Sequence, residues 1–181
     1  MLILGIDPGT QILGYSILDT DGTTPRIVAM DVLYLKKIPE FNLRIRQIFL
    51  STSRLIDSFH PDHLAIEAPF FGKNVQSMLK LGRAQGVAIA AAISRDLSVT
   101  EYEPSVIKQH ITGNGNASKQ QVATMLQSIL GFDQSPHYFD ATDALAIALC
   151  HYYQTSSPLA SPGSSSSWEK FLAANPGRIK K

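Results

Sequence analysis

Four acidic residues, Asp7, Glu67, Asp140 and Asp143, stand where an acid is normally excluded. Asp7 ends the apolar run Leu2-Ile3-Leu4-Gly5-Ile6. Glu67 ends Leu64-Ala65-Ile66, and Asp140 and Asp143 open the apolar stretch Ala144 to Cys150. Burying a carboxylate is costly unless it is paired or bound to a cation. Acids drawn together from distant parts of the chain would repel one another unless metal held them. The pattern therefore calls for a fold that brings these segment ends to one point, and for a metal-dependent site there.

The order of elements supplies such a fold. Leu2–Asp7, Ile12–Asp19 and Arg26–Leu35 read as strands, joined by turns at Pro8-Gly9-Thr10 and Asp21-Gly22. They form a three-stranded antiparallel meander. Asn42–Phe59 has apolar residues at helical spacing (Ile45, Ile48, Phe49, Leu55, Ile56, Phe59), with Asn42 as the expected N-cap. His63–Glu67 is a fourth strand, and Asn74–Arg95 a long helix rich in Gly and Ala, whose small residues permit close approach by another helix or subunit. Val99–Tyr102 is a fifth strand. Helices follow at Ser105–Ile111, at Ser118–Leu130 with Ser118 and Gln121 in capping-box spacing, and at Phe139–Tyr152. Three strands, then helix, strand, helix, strand, helix is the order of the ribonuclease-H-like fold. The expectation is an α/β domain over residues 1–154, with a five-stranded mixed sheet flanked by helices. Residues 155–181 form a Ser/Pro/Gly-rich, flexible tail with room for a short helix at Trp168–Ala174.

Bulk properties narrow the class. A chain of 181 residues with 44% hydrophobic content supports one folded core. The net charge of +1 is not that of a highly basic polyanion binder, yet four acids spent in one site leave the remaining surface more basic than that figure. The lone Cys150 makes no internal disulfide and reads as a buried small hydrophobe. MLILGIDPGT lacks the basic start of a signal peptide, and the apolar run Gly86–Ile93 is too short to span a bilayer. A cytoplasmic location is expected. The histidines (His60, His63, His110, His137, His151) show no metal-ligand spacing and are expected at the surface or core edge.

Oxygen ligands suit Mg²⁺ and Mn²⁺. Asp140 and Asp143, three residues apart, share one helix face in a first turn, where the dipole favours negative charge. With Asp7 and Glu67 on neighbouring strand ends, such a cluster is able to hold two hard cations about 3.5–4 Å apart, as in-line phosphodiester hydrolysis requires. Each acid also has a plainer reading. Asp7 before Pro8-Gly9 suits a turn, Glu67 suits a pair with a surface lysine, and Asp140 suits a helix cap. Asp143, inside the helix, fits a cap less well.

The segments LGIDPGTQILGYSI, LAIEAPFFGKN, SMLKLGRAQGVAIAAAI, SVIKQHITGNGNASKQQV and DATDALAIALCH resemble the RuvC family of bacterial Holliday-junction resolvases, from Met1 to about Tyr153. The resemblance implies a homodimeric, Mg²⁺-dependent endonuclease with two metal ions per site and Mn²⁺ able to substitute. It implies symmetric nicks across a four-way DNA junction, 5′-phosphate ends, and work alongside the RuvA and RuvB branch-migration complex. By motif position, Asp7, Glu67, Asp140 and Asp143 match the catalytic and metal-holding acids. Phe70 matches an aromatic that stacks on junction bases, and Lys108 and Lys119 match lysines facing the DNA. Lys73, Lys80 and Arg83 are further basic candidates for DNA contact. A dimer would match the junction's two-fold symmetry, with the Gly/Ala-rich helix as candidate interface.

Other functions compete. Asp7-Pro8-Gly9-Thr10 fits the turn of phosphotransferases of the actin and sugar-kinase class, which work with two such domains around a nucleotide. A non-catalytic junction binder and a ribonuclease-H-like nuclease with another substrate are further readings.

Overall fold

The computed structural model describes residues 1–22, 24–69, 74–132 and 139–156. Phe70, Lys73, His137 and the tail from residue 157, with its expected short helix, lie outside the described residues. Strands β1 (Leu2–Asp7), β2 (Ile12–Asp19), β3 (Arg26–Tyr34), β4 (His63–Glu67) and β5 (Ser98–Tyr102) form one sheet in the order β3-β2-β1-β4-β5. β1, β2 and β3 pair antiparallel, while β4 runs parallel to both β1 and β5. This is the expected mixed sheet.

Strand alternation divides the core. Ile3, Leu18 and Ala65 face one side, with α3 (Pro104–Thr112), α4 (Lys119–Leu130) and α5 (Phe139–Ser156). Leu4, Ile6, Ile17, Leu64 and Ile66 face the other, with α1 (Phe41–Phe59) and α2 (Val75–Ile93). Cys150 is buried in the α5 layer. Among the described residues, no helix is long and apolar enough to cross a membrane.

Helix ends follow local chemistry, with one correction. The Ser118–Gln121 capping box forms in both directions, and Asn74 accepts from the Ser77 amide as the cap of α2. Asn42, however, does not cap α1. The helix begins one residue earlier at Phe41, behind an extended Glu40 that makes no side-chain cap. Arg44 ties this entry down instead, donating to the carbonyls of Ile38 and Thr10. α5 runs to Ser156, two residues past the expected end of the domain.

Two glycines let α5 lie directly on the sheet. A Cβ on Gly5 would fall 2.2 Å from the Ala144 carbonyl oxygen, and one on Gly14 only 1.9 Å from that of Asp140. The buried Ser16 hydroxyl donates to the Ala144 carbonyl at 3.0 Å, pinning the same contact. Gly14 is also the cross-strand partner of Asp7. The first turn of α5 therefore rests beside the end of β1.

Candidate active site

Parallel pairing sets the geometry. β1 and β4 run side by side in one direction, so their last residues, Asp7 and Glu67, emerge at the same end of the sheet. The start of α5 brings Asp140, in its first turn, and Asp143, in the next, to that end. Asp7, Asp140 and Asp143 each offer a carboxylate oxygen, and these oxygens all lie within 4.8 Å of one another. Asp140 sits inside the first turn of α5, one residue past Phe139, and so is part of the helix.

A pocket of about 170 Å³ is lined by Asp7, Glu67 and Asp143 and by two lysines, Lys108 from α3 and Lys119 from α4. Ile107, Val122 and Ala146 supply apolar wall. Lys119 Nζ donates to Asp143 Oδ2. Lys108 and Lys119 sit on either side of the loop at Gly113–Asn116 and converge on the acids from two helices. Arg83 does not line this pocket. It borders a separate groove on α2 with Val75, Leu79 and Gly82.

The acids are under electrostatic stress. Burial, then the charges of Glu67, Asp143 and Asp140, push the Asp7 carboxyl up to about 8 against relief from Lys119. Burial and Asp143 raise Glu67 to about 6, with Lys119 and Lys108 pulling the other way. Asp143 is raised by burial despite its hydrogen bond from Lys119. Like charges forced together under partial burial define a site that gains from a cation. The donor set is all carboxylate oxygen, which fits a hard divalent ion.

At the opposite end of β4 lies a cluster the linear pattern did not reveal. His151 is 2% exposed. Its ring stacks on His63 at 4.1 Å, and its Nδ1 meets the Tyr102 hydroxyl at 2.8 Å. His63 Nε2 meets Thr100 Oγ1 at 2.9 Å. Burial lowers both histidines, His151 to about 4 with help from His63. His151 thus belongs to the core. The placement of a histidine in the apolar register of α5 was the available signal.

The sheet order and this acidic pocket define a class, the ribonuclease-H-like nucleases. A family model described as crossover junction endodeoxyribonuclease RuvC matches residues 3–151. A relative of that name from Porphyromonas gingivalis is 55% identical over 183 residues, spanning 99% of this chain and 97% of its own. One from Bacteroides fragilis is 55% identical over 181 residues, with 99% and 96% spanned. A solved structure of Thermus thermophilus RuvC in complex with Holliday junction substrate superposes with a TM-score of 0.78 at 32% identity, covering 84% of this chain and 93% of that one. The chain belongs to the RuvC family of crossover junction endodeoxyribonucleases. It is a hydrolase of phosphodiester bonds.

Proposed function

We propose that this chain resolves four-way DNA junctions, with Asp7, Glu67, Asp140 and Asp143 as its metal-holding catalytic acids. The observation that carries the assignment is the convergence of the Asp7, Asp140 and Asp143 carboxylates within 4.8 Å, with Asp7 and Asp143 lining one pocket together with Glu67 and two lysines. Mg²⁺, when bound, supplies water activation and leaving-oxygen stabilisation. Asp7, Asp140 and Asp143 hold and orient the ions, and Glu67 completes the set from the β4 end. Lys108 and Lys119 receive the phosphate oxygens at the rim, Lys119 exchanging its contact with Asp143 for the substrate. Ile107, Val122 and Ala146 keep that wall of the pocket apolar, which strengthens each charge interaction inside.

Two related nicks need two sites, so the active form is a homodimer. The two sides of α2 support this. Ala84, Ala88, Ala91 and Ala92 are buried in the protein's own core, while Gly82 and Gly86 face open space beside exposed Val75 and Leu79. Phe70, Lys73 and Arg83 contact the DNA, and RuvA and RuvB are the branch-migration partners. The products carry 5′-phosphates, and the enzyme works in the cytoplasm. The phosphotransferase alternative is not favoured, because the family match spans residues 3–151.

A Mg²⁺-dependent cleavage assay comparing a four-way junction with linear duplex tests this reading. Strong preference for the junction is expected, and equal cutting of both would sink it.

A further inference from the structure

At Glu67 the strand β4 is paired on one side only. Its ladder with β1 ends at Ile6 and Ile66, while Glu67 still faces Tyr102 of β5. A side chain from α2 serves the open side. Gln85 Nε2 donates to the Glu67 carbonyl at 3.2 Å and to Glu101 Oε2 of β5 at 2.6 Å. The Ala68 amide, on the same peptide unit as that carbonyl, donates to the Tyr102 carbonyl at 2.9 Å. The peptide unit that follows the Glu67 side chain is therefore held at both its oxygen and its nitrogen.

Gln85 is 6% exposed, the polar one of the five residues that α2 buries; the others are Ala84, Ala88, Ala91 and Ala92. An apolar side chain would fill that place without the desolvation cost of an amide. Both neighbours are oxygen acceptors, which turns the amide nitrogen toward them and uses both of its N–H groups. Among the described residues Glu101 makes no ion pair, so its charge-assisted bond goes to Gln85. Gln85 does not line the acidic pocket, whereas Glu67 does. Resting on the junction-cleavage reading, we propose that Gln85 is a positioning residue for that reaction. Through the Glu67 carbonyl it fixes the end of β4, and with it the place where the Glu67 carboxylate enters the pocket. Glu101 orients the amide that does so.

The test uses the full chain. Gln85→Met is close in size and removes both donors. It should lower kcat for junction cleavage by roughly 30-fold, the scale of a reacting group displaced by a remote change, with KM for the junction within about twofold of wild type. A second readout needs neither DNA nor cleavage. The rise in melting temperature that Mg²⁺ produces should shrink in Gln85→Met and in Glu67→Gln, and no further in the double variant, because the two residues act as one unit. If Gln85→Met does not fold, Gln85→Asn, one methylene too short to span both oxygens, should give the same results. A wild-type kcat or a full Mg²⁺ shift in the Gln85 variant overturns the inference, whatever its melting temperature, since the amide would then serve packing alone. Additive losses in the double variant also overturn it, because Gln85 would then act apart from Glu67. Wild type that shows the Mg²⁺ shift but cleaves no junction overturns the proposed function instead, and the melts alone then decide the coupling of Gln85 to Glu67.

Discussion

The same two elements carry opposite electrostatic designs at their two ends. β4 begins with His63 and ends with Glu67, and α5 holds Asp140 in its first turn, Asp143 in the next, and His151 eight residues after Asp143. At one end, carboxylates crowd together and repel. At the other, neutral rings stack and hydrogen-bond within the protein. The histidine end draws its stacking and its Nδ1 partner from the fold itself, while the buried His151 Nε2 is left without a hydrogen bond among the described residues. The acidic end is left incomplete by the fold, with three carboxylates close enough together to hold a cation.

Removing one acid breaks the contrast most severely. Asp7→Asn should reduce junction nicking by about 1,000-fold or more, the scale of losing a key electrostatic group. Junction binding in Ca²⁺ should persist, as measured by gel shift. Wild-type-like nicking would overturn the metal assignment.

Pushing α5 off the sheet should disturb the acidic end at its base. Gly14→Ala drives a methyl into the Asp140 carbonyl, at a cost of about 3 kcal/mol in denaturant unfolding. A loss well under 1 kcal/mol would mean that the helix rests elsewhere.

The two ends should respond to pH with opposite sign. Asp7 and Glu67 have raised values of about 8 and about 6, so the folded state binds protons that the unfolded chain has already released. In metal-free protein this end loses stability as pH rises from about 4 toward 8, by an amount on the order of a few kcal/mol. Mg²⁺ or Asp7→Asn should flatten that alkaline limb in melts across pH. Persistence of the limb in Asp7→Asn would assign it to other groups.

His151 has the reverse sign. Its value of about 4 lies below the unfolded one, so the unfolded state takes up the proton first. Stability from this end is complete above about pH 6.5 and falls as pH drops toward 4. His151→Gln, which keeps a hydrogen-bonding group for Tyr102, should shrink the loss between pH 7 and pH 5 by about 2 kcal/mol. An unchanged acid limb would point to the carboxylates instead.

Much of this was legible in the linear chain. Leu2–Asp7, Ile12–Asp19 and His63–Glu67 match their observed strands to the residue, because buried strands present uninterrupted apolar runs bounded by turn residues. The Ser118–Gln121 box was equally readable, since a cap is set by residues three apart. Asn42 misled because a favourable cap residue lay one position inside a helix whose entry is held by Arg44, through contacts up to 34 residues away. His151 escaped for a similar reason: a buried histidine is tolerable only with Tyr102 and His63 beside it, and both come from other elements.

By itself, the sequence determined which carboxylates were anomalous and which elements would carry them, since apolar periodicity and local capping are properties of neighbouring residues. Only the tertiary structure decided that those acids meet. Parallel pairing of β1 with β4 puts Asp7 and Glu67 at one end of the sheet, and Gly14, without a side chain, lets the first turn of α5 come to rest beside Asp7. Convergence depends on strand direction and on backbone approach between segments more than a hundred residues apart, neither of which is written in local spacing.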